Sequence, residues 1–142
     1  MVLNRHTLWD LTARAGVSPG RYVSDATSRV ALFDLTQGTS LGAEREAFLD
    51  RSVMILCSQQ LPAVLALIQL DGLARRILLC PPDLADAHRP AIIAEAEVDV
   101  ILSDGAVSAS RGLAGVPVIA CRHALVPGPF SYDRNRATEW PT

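Results

Sequence analysis

SVMILCSQQLPAVLALIQLDGLARRILLCPP, residues 52–82, holds a strand, a crossover helix and a second strand. Val53–Cys57 is a short apolar run rich in branched side chains, ended by the polar triplet Ser58, Gln59 and Gln60. Leu61, Val64, Leu65, Ile68 and Leu73 follow at helical spacing, and Gly72 stops the helix. Arg75 and Arg76 lead into the apolar run Ile77–Cys80, which Pro81 and Pro82 terminate. Two buried strands joined by a helix pair in parallel through a right-handed crossover. The expected class is α/β, a Rossmann-like or flavodoxin-like, mainly parallel sheet with flanking helices.

The theme repeats downstream. Asp83 is placed to cap a helix over Ala85–Ala96, with Ile92, Ile93 and Ala96 facing inward. Val98–Leu102 reads as a third buried strand ending in Ser103-Asp104-Gly105, and Val107–Leu113 as a short helix or loop. Val116–Ala120 reads as a fourth strand, with Pro117 at its start or on an edge. Upstream, Thr7 caps a helix over Leu8–Ala15 that turns Leu8, Leu11 and Ala15 to one face and stops at Gly16. Ser18–Gly20 is a turn and Arg21–Ser28 an exposed connector. Arg29–Leu35 alternates as an edge strand closed by Gln37-Gly38, and Gly42–Leu49 reads as a short helix. The whole is expected to form a single domain over residues 1–142. Residues 1–50 are an irregular lead-in with an edge strand, 51–125 the parallel core and 126–142 a polar tail.

Composition excludes several classes. The 142 residues are 49% hydrophobic and 20% charged, an ordinary globular balance that rules out a disordered chain. Thirteen basic against 15 acidic residues give a net charge of −2, with no basic stripe for nucleic acid. No run reaches the ~18 apolar residues of a membrane span, and Met1–Gly16 lacks the apolar core of a secretory signal. The 3 cysteines are odd in number and lack metal-type pair spacing, so no disulfide framework is expected. The expected location is the cytoplasm.

Ligands of open parallel sheets collect beyond the carboxyl ends of the strands. Those ends here are Cys57-Ser58-Gln59, Cys80-Pro81-Pro82-Asp83, Ser103-Asp104 and Cys121-Arg122-His123. The ligand-contact candidates are therefore Ser58, Gln59, Pro82, Asp83, Asp104 and His123. Cys57, Cys80, Cys121 and His123 are soft donors that a metal or redox site could use; burial as small apolar residues is the plainer reading. His123 with Asp104 or Asp83 would make an acid–base pair, but no Gly-x-Ser-x-Gly elbow supplies a nucleophile. Neither a Gly-x-x-x-x-Gly-Lys loop nor a Gly-x-Gly-x-x-Gly turn is present. The first strand meets its helix without glycine, leaving little room for a pyrophosphate. No catalytic residue and no metal ligand is assigned. Leu61–Leu70 is apolar enough to dock on a partner, although burial on the sheet explains it as well.

Taken in order, these pieces resemble the first subdomain of the adenylate-forming (AMP-dependent) acyl-CoA synthetase and ligase superfamily. The matching pieces are Val53–Cys57, Ser58, Leu61–Leu70, Gly72, Ile77–Cys80, Pro81-Pro82, Ala85–Ala96, Val98–Leu102 and Asp104. Ala137-Thr138-Glu139-Trp140 resembles the segment just before that family's Ser/Thr/Gly-rich phosphate loop. The chain departs from the family at the loop itself, because Thr142 follows Trp140 by two residues, and the sequence contains no lysine. Asp83 stands where many CoA-using members carry a basic residue. The resemblance implies an amino-terminal portion of a ligase that activates a carboxylic acid with ATP and magnesium and passes it to a thiol such as CoA. This portion would be catalytically silent, bind no cofactor of its own and pack against the remainder of the parent enzyme or a second copy. The competing expectation is a stand-alone flavodoxin-like binding module, with the sheet ending near Leu125 and the tail from Val126 reaching a neighbour.

Overall fold

The structure, a computed structural model, describes residues 7–42, 45–105 and 115–127. Its centre is a five-stranded sheet built from β3 (Gly38–Leu41), β4 (Ser52–Leu56), β5 (Arg76–Leu79), β6 (Val100–Ser103) and β7 (Val118–Pro127). The strand order is β3-β7-β6-β4-β5. β4 pairs in parallel with both β5 and β6, β6 pairs in parallel with β7, and only β3 runs antiparallel. This is the mixed α/β, Rossmann- or flavodoxin-like class expected from the sequence. The neighbours of β4 are the next two strands in the chain, so the strand order reverses between β4 and β6. That junction is the topological switch point of the sheet.

β4 is buried on both faces because every one of its residues, Ser52 included, is shielded from solvent. Its alternate side chains feed two cores. Val53, Ile55 and Cys57 join Ala66, Leu70, Ile77 and Leu102 on one face, while Met54 and Leu56 join Cys80, Ile93, Val98 and Ile101 on the other. Helix α4 (Arg89–Glu95) covers the second face, and α3 (Gln60–Leu70) covers the first.

Helix α3 is apolar all round, and both of its sides are buried. Ala66 and Leu70 face the sheet. Leu61, Leu65 and Ile68 face outward, into a third cluster with Val30 and Leu35, against which Leu8, Trp9 and Val23 pack. The covering layer consists of α1 (Leu8–Gly16), α2 (Leu32–Gln37) and the hairpin β1 (Tyr22–Ser24)–β2 (Arg29–Ala31). It is tied down by polar contacts: the Asp71 carboxylate accepts from Leu8 N–H at 2.7 Å, adding to the capping box of Thr7 and Asp10. Gly72, at φ 88°, lets the chain leave α3 in a conformation that few side chains tolerate. The apolar run is therefore accounted for by this intramolecular layer.

Gln69 is the buried polar residue of α3, and its whole side chain is used. Its Oε1 accepts from Thr39 Oγ1 at 2.8 Å and Ser40 N–H at 3.1 Å; its Nε2 donates to Ser40 Oγ at 2.7 Å and Leu65 O at 2.8 Å. These bonds pin the apolar-poor strand β3 to the helix. Beyond β3, Gly42 passes so close to β7 that a Cβ there would lie 2.4 Å from Ala120 O.

The lead-in segment differs from the sequence expectation. Arg29–Leu35 is not one strand: it is β strand only over Arg29–Ala31, in a separate hairpin, and Leu32 onward is helical. The edge strand that the lead-in contributes to the main sheet is Gly38–Leu41, opposite the β5 edge. Tyr22–Ser24, expected as connector, pairs with β2, where Asp25 Oδ1 accepts from Thr27 and Ser28 N–H and closes the turn. Leu11 is half exposed, and Thr12 and Gly16 are the buried residues of α1. Among the described residues of Gly42–Leu49, the helical part is a 3-10 turn at Arg45–Ala47. Asp83 caps nothing: the downstream helix begins as a 3-10 turn at Asp86–His88 and becomes α-helical at Arg89, where Pro90 suits the first turn. β7 runs through to Pro127, longer than Val116–Ala120. Val107–Leu113 and the tail beyond Pro127 lie outside the described residues. No helix among the described residues is long and apolar enough to cross a membrane.

Replacing Gln69 with Leu orphans Ser40 N–H and two hydroxyls. The expected loss is about 2–3 kcal/mol of folding stability in urea denaturation, with β3 amides losing hydrogen-exchange protection first. An unchanged midpoint would show that β3 is held without this side chain.

Candidate functional site

The switch point between β4 and β6 is closed by a side chain. Asp104, just after β6, lays its carboxylate across the start of α3. Its Oδ1 accepts from Ser58 N–H at 3.0 Å and its Oδ2 accepts from Gln59 N–H at 2.9 Å. The Ser58 hydroxyl adds bonds of 3.3 and 3.2 Å to the two oxygens. Gln59 occupies the N-cap position but offers no side-chain cap of its own, and Asp104, from the end of a distant strand, holds the N–H groups of the N-cap residue and of the residue before it. A carboxylate is electrostatically suited to this end of the helix. It also fills the place where a ligand phosphate would otherwise find backbone N–H groups.

A cavity of about 360 Å³ opens beside this cap, between the ends of β4 and β5. Ser58, Gln59 and Gln60 form its polar wall, and Leu79, Pro81 and Pro82 its apolar wall. No lining side chain carries a formal charge. Its volume falls in the range of small-molecule sites, about 300–1,000 Å³. The lining suits a neutral, partly apolar group.

The thiols divide between two environments. Cys57 lines the cavity, and its Sγ lies 3.2 Å from Cys121 Sγ, both residues being buried. The two thiols share a hydrogen bond in which either sulfur can be the donor. It brings the Cys57 thiol below its ordinary range, against the opposing effects of burial and of the Asp104 charge. Cys121 is pushed up by the same bond, then by burial and the neighbouring negative charges. Cys80 sits with the opposite core, and burial raises its thiol against a smaller lowering by Arg89.

Of the sequence candidates, Ser58, Gln59 and Asp104 are brought together in one hydrogen-bonded corner, and Pro82 lies across the cavity from them. Asp83 is exposed and outside the cavity lining. His123 lies within β7, and its side chain falls outside the described residues. The three cysteines do not converge as one set. No group of three or more His, Cys, Asp or Glu that could hold a metal occurs among the described residues. Gln60 and Leu79 were not among the sequence candidates, although both adjoin the ends of the two strands joined by the first crossover.

No protein-family model matches the chain. The search of curated proteins likewise finds no match. Among solved structures, the chain is similar to the crystal structure of IdnL7, with a TM-score of 0.62 and 24% sequence identity. The likeness covers 93% of this chain and 30% of that one, so the chain spans under a third of the length of the structure it resembles. The likeness is one of fold.

Asp104→Ala removes the only cap seen at the start of α3 among the described residues. The expected cost is about 1–2 kcal/mol, read as a lower Tm; no change would remove the cap from this account. Iodoacetamide at neutral pH is expected to label Cys57 before Cys80 and Cys121, as read by peptide mass mapping. Equal labelling of all three would contradict the thiol polarity described.

Proposed function

We propose that this chain is the amino-terminal portion of an adenylate-forming ligase, the parent enzyme joining a carboxylic acid to a thiol at the expense of ATP. The order of strand, polar turn, apolar helix, glycine, strand and proline turn supports the reading. So does a fold shared with a stretch of a longer protein. Within such an enzyme this portion is scaffold. It presents the Ser58–Gln60 and Pro81–Pro82 walls to the rest of the large domain and carries none of the chemistry.

The observation that carries the scaffold assignment is the Asp104 cap. With a carboxylate on Ser58 N–H and Gln59 N–H, the usual phosphate seat of this sheet is filled with negative charge. The sequence contains no lysine. The residues present therefore do not fit ATP phosphates or their magnesium, and no adenylation step runs through them. They do not fit the phosphates of CoA either. Asp83 stands at the proline turn, and the Arg89 guanidinium that reaches it is engaged by Asp86 at 2.6 Å and by the carbonyls of Pro82 and Leu84. On this reading ATP, magnesium and CoA belong to the remainder of the enzyme, which is also the partner, and the setting is the cytoplasm.

A second reading, a stand-alone flavodoxin-like binding module, is favoured by the antiparallel β3. That strand closes the far edge of the sheet from within the chain. The uncharged cavity would then be the binding site, and a second copy the natural partner.

Two measurements separate these readings. ATP-dependent pyrophosphate exchange, run with a broad panel of acids, is expected to give no signal with the 142-residue chain; robust exchange would overturn the scaffold assignment. The intact mass of the native product is expected to exceed that of this chain, with sequence continuing into a Thr/Ser/Gly-rich loop. A native product ending at Thr142 would favour the module instead.

A further inference from the structure

We propose that residues 81–86 are a movable strap over the cavity beside Ser58, and that the Arg89 guanidinium is the latch that keeps it shut. The two walls of that cavity are held differently. Ser58 and Gln59 are fixed through their N–H groups by the Asp104 carboxylate. Pro81 and Pro82, on the other wall, have no N–H to donate, so their backbone can be held only through carbonyls. Arg89 supplies the donors: its Nη2 reaches Pro82 O and Leu84 O, each at 3.3 Å, and its Nη1 meets Asp86 Oδ1 at 2.6 Å. One side chain thus ties the strap at three points.

The strap's remaining ties are few. Cys80 N–H bonds to Ile55 O across the β4–β5 ladder, one residue before the strap begins. Leu84 N–H turns back to Pro81 O at 3.2 Å, a bond within the strap itself. Of residues 81–86, all but Leu84 are exposed, and Leu84 packs against the cluster that includes Cys80 and Ile93. Arg89 itself is 8% exposed, and among the described residues its Nε–H meets no partner. A buried donor left unpaired is a cost carried by the closed arrangement. Withdrawal of the strap brings water to the guanidinium and removes that cost. The segment therefore belongs to the low-stability end of the structure, where local opening leaves the sheet intact.

Opening acts on one side of the cavity. Cys80, 7% exposed, is part of the lining and directly precedes Pro81, so strap movement uncovers its thiol. Cys121 belongs to the opposite core and is outside the lining, so it stays covered. The Ser58–Gln59 wall stays in place under Asp104. Entry is thus controlled from Arg89, the first residue of α4. This holds under either reading of the chain, because it concerns access to the cavity and not its occupant.

The test follows iodoacetamide labelling of each cysteine by peptide mass mapping, alongside hydrogen exchange at the Leu84 and Asp86 amides. Arg89→Met is expected to speed Cys80 labelling and exchange at those amides by about tenfold. Cys121 labelling and exchange at Ser58 and Gln59 are expected to stay as they are. Asp86→Ala, at a side chain that is 78% exposed, removes one tie without entering the core and is expected to give a smaller gain, about threefold. That variant decides the matter even if Arg89→Met does not fold. An unchanged Cys80 rate in Asp86→Ala, or an acceleration at Cys121 equal to that at Cys80, would overturn the proposal.

Discussion

Helix α3 has no polar face, and the remainder of the molecule is arranged to keep it from water. The sheet covers one side through Ala66 and Leu70; the covering layer of α1, α2 and the β1–β2 hairpin meets Leu61, Leu65 and Ile68 on the other. Burial on this scale stabilises each large side chain by about 1.5–3 kcal/mol. It also leaves the polar groups of the helix with little access to solvent. Each is met from elsewhere in the chain. Gln69 is satisfied by β3, Asp71 is spent on capping α1, and Ser58 N–H and Gln59 N–H, at the turn into the helix, are met by Asp104 from the end of β6. The helix therefore couples the sheet, its antiparallel edge and its outer layer into one unit.

The same coupling determines the chemistry available at the switch point. A parallel sheet of this order offers a helix N-terminus as an anion seat, and this chain fills the seat with its own carboxylate. What remains open is the neighbouring cavity, whose lining carries no formal charge. An uncharged cavity beside an occupied anion seat belongs to a surface that positions or admits a neutral group. A phosphoryl or adenylyl centre needs concentrated positive charge. That contrast is why the adenylation chemistry of the proposed parent is assigned to the portion beyond this chain.

β4 and β6 were legible because burial on both faces demands unbroken apolar runs, and Val53–Leu56 and Val100–Leu102 supply them between clear terminators; Ile77–Leu79, on the sheet edge and only partly buried, carries the same apolar signal. Gly72 announced the end of α3 for an equally local reason. The lead-in segment was not legible. The alternation in Arg29–Leu35 resembles a strand, yet Leu35 is buried by a helix whose first residue passes so close to α1 that a Cβ on Gly16 would lie 3.1 Å from the Leu32 backbone. Packing between elements overrides the local pattern there. β3, with the sequence Gly-Thr-Ser-Leu, has no apolar run to announce it and is made a strand by β7 and Gln69. At the site, Ser58, Gln59 and Asp104 could be nominated because strand ends gather ligands. Their mutual bonding, and the meeting of Cys57 with Cys121 across β6, depend on strand order, which composition and periodicity do not encode.

The central claim is that the start of α3 is sealed by Asp104 and is closed to phosphate. The direct measurement follows the backbone amide resonances of Ser58, Gln59 and Gly105 while magnesium-ATP is titrated into the 15N-labelled chain. Unmoved resonances at millimolar nucleotide are the expected result. Saturable shifts of Ser58 and Gln59 would mean that nucleotide displaces the carboxylate, and would contradict the assignment of this portion as scaffold.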